Sequence, residues 1–324
     1  MNKKTITFFL LIMYLSTYVY NYKIYSLILI FELKIIGSWY SNKPLDKSKI
    51  QISNTEWMSN LKDSVDVREL AVPGTHDSCT FLFLNSPTKL WWYKYMYQCQ
   101  SWSIEEQLFS GIRYFDLRPA GNGIIYHGEG ITSYTMDSIF EIYKNFLNEH
   151  PSEGLFVRVQ FQLKKCEDDD IEKCKQKAIY RVFDKYNDIL YRDSGVPTVG
   201  KLRKKIYAII ENLEYKNYLI WEKNDLMELQ DYFKLFGVKK LEIKKKKDLV
   251  REYMFNQNKE KLVINHCSGV GRGISTTINY VAFNVNKVPY IAKGFRGIFA
   301  IDFPGEKLVN HIINQNKKYF KSEE

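Results

Sequence analysis

The chain has 324 residues, 45% of them hydrophobic and 26% charged, with a formal net charge of +10. That composition excludes a disordered chain. The positive excess is local: residues 1–50 carry seven Lys against two acids, residues 239–261 carry nine Lys and Arg against four acids, and the remainder balances. A nucleic-acid binder with a basic face spread over a whole domain is therefore not expected.

In chain order, Lys3 and Lys4 precede an uncharged apolar run at 6–20. Asn21 and Lys23 interrupt it, and 24–31 is apolar again. A charged start followed by an apolar core is the pattern of a secretory signal. The run has no small-x-small cleavage site, which favours an uncleaved anchor. Residues 1–34 are thus expected to be a signal peptide or signal anchor, with a buried N-terminal helix as the competing reading. The expected location is the secretory pathway or cell surface, associated with membrane. Residues 35–55 read as a polar linker, and 56–324 as one domain.

Short β-rich apolar runs occur at 67–72, 112–117, 123–126, 155–163, 205–210, 262–265 and 297–301. Helical patterns lie between them. Ser103 and Glu106 form a capping-box signature for a helix ending at Gly111. Further amphipathic stretches run over 135–149, 171–190, 225–236, 247–255 and 306–320. Alternating β and α units predict an α/β fold, either a (β/α) barrel or a doubly wound sheet.

The five cysteines show no metal-site spacing. Cys166 and Cys174 bracket a short acidic loop and could pair in an oxidising compartment. No N-x-Ser/Thr glycosylation site is present.

Histidine is scarce, five in the chain, and two lie at the ends of strand-like runs. His76 follows Val72-Pro73-Gly74-Thr75 and precedes Asp77; His127 follows Ile124-Ile125-Tyr126. Between them, Asp116 and Arg118 alternate with Phe115 and Leu117, so a strand here puts both charges on one face. Such charges are costly to bury unless paired or placed at an open end. Two histidines supply a general base and a general acid, and a fixed Arg neutralises phosphorane oxygens, a set suited to phosphoryl transfer.

These residues fall into a longer ordered series. Trp57-Met58, Leu70-Ala71-Val72-Pro73-Gly74-Thr75-His76-Asp77-Ser78, Ser103-Ile104-Glu105-Glu106-Gln107-Leu108, Gly111-Ile112-Arg113-Tyr114-Phe115-Asp116-Leu117-Arg118, Tyr126-His127-Gly128 and His150-Pro151-Ser152-Glu153 follow one another. Ile264-Asn265 and Gly297-Ile298-Phe299-Ala300-Ile301-Asp302-Phe303 come later. The series resembles the X-domain of phosphatidylinositol-specific phospholipases C, of the bacterial type and of eukaryotic members that consist of the X-domain alone. The likeness is dense from Trp57 to about Leu163 and sparse beyond.

The resemblance implies a distorted TIM-type (β/α) barrel, here preceded by an N-terminal hydrophobic helix, with its site at the carboxyl ends of the strands. His76 would be the general base on the inositol 2-hydroxyl, oriented by Asp302. Arg118 would bind the phosphate, and Asp116 would hold Arg118. His127, supported by Asp77, would protonate the diacylglycerol oxygen. The implied products are diacylglycerol and an inositol 1,2-cyclic phosphate.

Signalling phospholipases of the superfamily hold Ca²⁺ with acids in this strand. Arg118 replaces one of them, so calcium-independent chemistry with no metal or other cofactor is expected. Arg158 and Gln160 are the candidate headgroup contacts, with Glu211 as a further one; the headgroup, free or glycosylated phosphatidylinositol, stays open. Trp91 and Trp92, in an aromatic run with one Lys, are expected to meet the membrane interface, with an aromatic core segment as the competing reading. The Lys-rich run 239–247 reads as a solvated face, with attraction to anionic lipid as the alternative. The expected partners are an inositol phospholipid and a membrane surface, with no nucleic acid. A catalytically silent inositol-lipid-binding module of the same fold is the alternative function.

Overall fold

A computed structural model describes residues 39–41, 43, 45, 52–85, 97–163, 166, 170–193, 195–211, 219–220, 225–255, 258–272 and 276–322. The strands among them are β1 (Ala71–Thr75), β2 (Phe83–Asn85), β3 (Tyr114–Leu117), β4 (Ile124–His127), β5 (Gly130–Thr135), β6 (Leu155–Gln160) and β7 (Ile206–Glu211). They continue with β8 (Leu219–Ile220), β9 (Met227–Gln230), β10 (Lys234–Leu235), β11 (Leu262–His266), β12 (Val270–Gly271) and β13 (Gly297–Ile301). Eight form one curled parallel sheet in the order β8-β7-β6-β3-β1-β13-β11-β9. Among the described residues no ladder joins β9 to β8, so this is a distorted TIM-type barrel left open on one side.

The central strands are buried on both faces, which is why their sequences read as nearly unbroken apolar runs. Gly74 is required by close approach: a Cβ there would meet Tyr114 Cβ at 2.6 Å and the Phe299 carbonyl at 2.9 Å. Helices cover the outside, chiefly α1 (Ile104–Phe109), α2 (Met136–Glu149), α3 (Lys239–Met254), α4 (Ile278–Val285) and α5 (Glu306–Asn314). The capping box read from Ser103 and Glu106 is formed. Thr135 caps α2 in the same way, with Ser138 reaching back. The inner face of α2 buries Ile139, Phe140, Tyr143, Phe146 and Leu147. Each fully buried side chain of that size is worth roughly 1.5–3 kcal/mol.

Several expectations need correction. The 67–72 run starts as a 3-10 turn, because the Asp66 carboxylate caps Arg68 N–H at 2.8 Å, and the strand begins only at Ala71. The expected helix at 225–236 is instead β9 and β10. Its apolar residues fit a period of two as well as 3.6, and parallel pairing with β11 decides between them. The 171–190 helix is broken into Ile171–Lys175, a π turn at Gln176–Tyr180, Arg181–Lys185 and a 3-10 turn at Asn187–Ile189. Cys166 and Cys174, whose pairing the sequence left open, form a disulfide.

The expected linker also contributes to the fold where it is described. Tyr40 is buried, forms a bridge with Pro304 and donates its hydroxyl to Asn279 Oδ1 at 2.6 Å. The apolar N-terminal segment lies outside the described residues. Among those residues no helix is long and apolar enough to cross a membrane.

Candidate active site

Because the barrel strands are parallel, their carboxyl ends open on one side, and the expected residues gather there. His76 and Asp77 follow β1, Asp116 and Arg118 come from β3, and Asp302 follows β13. His127 differs from expectation. It ends β4, which belongs to a separate antiparallel sheet β2-β5-β4, not to the barrel. That hairpin folds over the mouth and brings the His127 ring to 6.4 Å from the His76 ring, edge to face.

Arg118 joins the parts. Its Nε is 2.8 Å from Asp77 Oδ1, and its Nη2 is 3.0 Å from Asp116 Oδ2 and 2.8 Å from His76 Nε2. A guanidinium can only donate. Nε2 of His76 therefore presents its lone pair, and Nδ1–H donates to Asp302 Oδ1 at 2.9 Å. The same logic fixes His127. Its Nδ1 lies 2.6 Å from the Tyr97 carbonyl, which only accepts, so Nδ1 carries a proton. Its Nε2 faces Asp77 Oδ2 at 3.2 Å, and His76 Nε2 is 3.3 Å from that same oxygen.

The backbone is shaped for this. Asp77 has φ +44°, the left-handed region that Asp tolerates better than most residues. Its N–H donates to Asp116 Oδ2 at 3.2 Å, and Ser78 N–H donates to the Asp116 carbonyl at 3.0 Å. Buried Gln100 donates to the carbonyls of His76 at 2.7 Å and Ile301 at 2.9 Å, tying the ends of β1 and β13 together. Gln107 links Thr75, Ser78 and Trp102. Gln107 lies within the ordered series read from the sequence, whereas Gln100 had no sequence signal.

Burial, and after it the Arg118 cation, hold His76 well below the ordinary histidine value, so its imidazole is neutral. Burial alone would raise Asp116, but Arg118 and Arg158 outweigh it and hold this carboxyl well below the usual range. Burial raises Asp77 against the opposing charges of Arg118 and His127. Burial, then the charge of Asp77, push Asp302 up, and a hydrogen bond from Cys99 and the charges of Arg118 and Lys246 oppose this without overcoming it. For Arg118, burial is overcome by Asp116 and Asp77, which raise its pKa and keep it cationic.

Arg158 and Gln160, the expected headgroup contacts, lie on β6 beside the cluster. Arg158 is buried, with Nη1 2.8 Å from Asp116 Oδ1 and Nη2 paired with Glu211. Gln160 donates to Glu211 Oε1 at 2.5 Å. Trp91 and Trp92 lie outside the described residues. His266, which the sequence reading passed over, ends β11 fully buried with its ring 5.6 Å from that of His76. A histidine closing a strand-like run was the available signal.

Donor atoms of His76, Asp77 and Cys99 lie within 4.8 Å of one another, a possible metal set. The donor chemistry disfavours it, because the Arg118 guanidinium already contacts both His76 and Asp77. Burial also keeps the Cys99 thiol protonated by raising its pKa. A divalent ion would meet a fixed cation there.

No protein-family model matches the chain. It is 28% identical to the 1-phosphatidylinositol phosphodiesterase of Listeria monocytogenes over 94% of each chain. It is 27% identical to that of Staphylococcus aureus over 88% of this chain and 96% of the other. The human PI-PLC X domain-containing protein 2 is 28% identical over a shorter stretch, 34% of this chain. Among solved structures, the phosphatidylinositol-specific phospholipase C from Listeria monocytogenes superposes with a TM-score of 0.69 at 25% identity. That match covers 82% of this chain and 99% of the other.

Proposed function

We propose that this chain is a member of the X-domain family of phosphatidylinositol-specific phospholipases C, and that it cleaves the phosphodiester of inositol phospholipids at a membrane surface and releases diacylglycerol. One observation carries the reading: His76 Nε2 and His127 Nε2 flank a single Asp77 oxygen at 3.3 and 3.2 Å, with the Arg118 guanidinium 2.8 Å from His76 Nε2. A phosphodiester seated there meets a base on one side and an acid on the other.

The steps follow from the proton positions. The inositol 2-hydroxyl takes the place of Arg118 Nη2 on the lone pair of His76 Nε2. His76 accepts the hydroxyl proton as the oxygen bonds to phosphorus, and the Asp302 carboxylate stabilises the resulting imidazolium. Arg118, freed from His76, donates to the non-bridging oxygens, where charge develops. The bond from phosphorus to the glycerol oxygen breaks, and His127, protonated on Nε2 beside Asp77, gives that proton to the departing diacylglycerol. The other product is the inositol 1,2-cyclic phosphate. General acid and general base groups contribute about 10²–10⁴-fold each.

No step needs a metal, since Arg118 supplies the positive charge from within the chain. Activity is expected to persist in excess chelator; complete loss, restored by Ca²⁺, contradicts this part. Arg158, Gln160 and Glu211 are the proposed headgroup contacts. The membrane placement belongs to the same proposal. Residues 1–34 carry the charge-then-apolar pattern of a signal or anchor, and resistance of the chain to alkaline carbonate extraction tests it.

The deciding experiment is phosphorus NMR of phosphatidylinositol vesicles with the wild-type chain and with His76→Ala. Wild type is expected to give the cyclic phosphate signal, and the variant none. A wild-type chain that releases no diacylglycerol from any inositol lipid favours the silent lipid-binding module.

A further inference from the structure

Residues 39–41 belong to the stretch that reads as a linker in the sequence, and no catalytic step uses them. In the structure they lie against the turn that leaves β13. That turn carries Asp302, whose Oδ1 accepts from His76 Nδ1–H. Ser41 N–H donates to the Phe303 carbonyl at 3.0 Å, and Tyr40 forms a bridge with Pro304. The Tyr40 ring is buried with its centroid 5.8 Å from that of Phe303, in an apolar cluster with Cys99, Ile278 and Ala282. The segment is itself fastened. Ser101 Oγ donates to the Ser41 carbonyl at 2.8 Å, and two bonds tie it to α4: Tyr40 Oη to Asn279 Oδ1 at 2.6 Å and Trp39 Nε1 to the Phe283 carbonyl at 3.1 Å.

The turn needs holding. Phe303 has φ +48°, in the left-handed region that a bulky side chain adopts only where its surroundings fix it. Three groups grip the backbone there. Asn286 Nδ2 donates to the Asp302 carbonyl at 2.9 Å, Phe303 N–H donates to the Cys99 carbonyl at 2.8 Å, and Ser41 N–H takes the Phe303 carbonyl. Asn286 and Cys99 act on the Asp302 side of Phe303. Only the third grip and the Tyr40 ring act on Phe303 beyond its strained bond. Without them Phe303 can relax toward an ordinary φ, which turns the peptide that follows Asp302 and carries its carboxylate off His76 Nδ1.

We propose that residues 39–41 are a positioning strap for the general base. They hold the Asp302–Phe303 turn in its strained conformation and so keep His76 oriented with Nδ1–H on Asp302 and the Nε2 lone pair toward the substrate hydroxyl. Tyr40 and Ser41 touch no reacting atom; they act through Phe303 and Asp302. This rests on the reading of His76 as the base, but one of the two measurements below needs no turnover.

The test uses the full-length chain and a soluble inositol phosphodiester, so that vesicle binding plays no part. Tyr40→Ala, which takes the ring off Phe303, is expected to lower kcat about 10-fold with KM unchanged, within the roughly 10²-fold that a 1 Å misplacement can cost. Tyr40→Phe, which keeps the ring, should restore kcat. In an Asp302→Ala background Tyr40→Ala should cause no further loss, because both changes act through one carboxylate. The second measurement is the low-field proton NMR signal of His76 Nδ1–H, assigned by its absence from His76→Ala. It should weaken or move upfield in Tyr40→Ala and return in Tyr40→Phe. The same fractional loss of kcat in both backgrounds, a rise in KM at unchanged kcat, or a wild-type low-field signal in Tyr40→Ala overturns the proposal. If circular dichroism shows Tyr40→Ala unfolded, Ser101→Ala, which removes one bond from the strap, takes its place; wild-type kcat and an unmoved signal in that variant overturn the proposal. A wild-type chain that cleaves no inositol lipid, with a low-field signal that responds to Tyr40→Ala, breaks the catalytic reading and leaves the strap standing.

Discussion

Arg113 and Arg118 sit at the two ends of β3, and each meets buried carboxylates. At the foot of the barrel, Arg113 and Glu153 are wholly buried, with Nη2 and Nε at 2.7 and 2.9 Å from the same carboxylate oxygen. The remaining donors of Arg113 go to the carbonyls of Leu108, Ile112 and Thr55. At the mouth, the Arg118 side chain keeps 20% of its surface exposed. One of its contacts is a histidine lone pair that a substrate can take over. Burial lowers the pKa of Arg113, whereas two carboxylates raise that of Arg118. A cation whose acceptors are all fixed backbone and carboxylate oxygens holds a fold together. A cation that shares its carboxylates with two histidines and opens to water can do chemistry.

The largest expected effect tests the mouth. Arg118→Gln removes the charge that meets the phosphate and should lower turnover by about 10²–10³-fold, the usual loss for one preorganised donor. Circular dichroism checks that the variant is folded. The matching change at the foot, Arg113→Gln, should leave Glu153 buried without its cation. It should cost about 3–5 kcal/mol of stability in urea unfolding, with turnover of the folded fraction unchanged. If Arg113→Gln slows turnover as much as Arg118→Gln while still folded, the division between the two ends fails.

The same two ends show what could be read from the sequence. The motif around Arg113 and Arg118 and the scarcity of histidine pointed to His76, Asp116, Arg118 and His127. The strand runs at 112–117 and 297–301 fell where strands form. What stayed hidden depends on contacts distant in sequence. Glu153 was only a member of the ordered series, because its partner lies 40 residues earlier. Gln100 reaches a strand end 201 residues away, and a single glutamine carries no pattern. His127 was placed on a barrel strand because a short apolar run does not reveal whether its partner is parallel or antiparallel. Lys246 sat inside a run of four lysines and looked solvated, although helical phase turns it inward.

The smallest effect concerns proton uptake, which also separates the two ends. Burial holds both His76 and His266 at the mouth below the ordinary histidine value, His266 at about 4. Around His266 stand Asp231 on the β9 side, Arg158 on β6, Asp116 on β3 and Lys246 on α3. Asp231 favours its charged form but does not overcome burial. In the unfolded chain the same ring titrates near 6.5. Between pH 6.5 and about 4 the unfolded chain therefore binds a proton that the native chain refuses. Stability from this site is fully present above pH 6.5 and is lost as pH falls toward 4, at about 1.4 kcal/mol per pH unit. His266→Gln, which cannot titrate, should flatten the fall in unfolding free energy from pH 7 to pH 5 by about 2 kcal/mol relative to wild type. A variant as steep as wild type would show that His266 takes its proton in the folded chain and that acid enters the structure elsewhere than at the mouth.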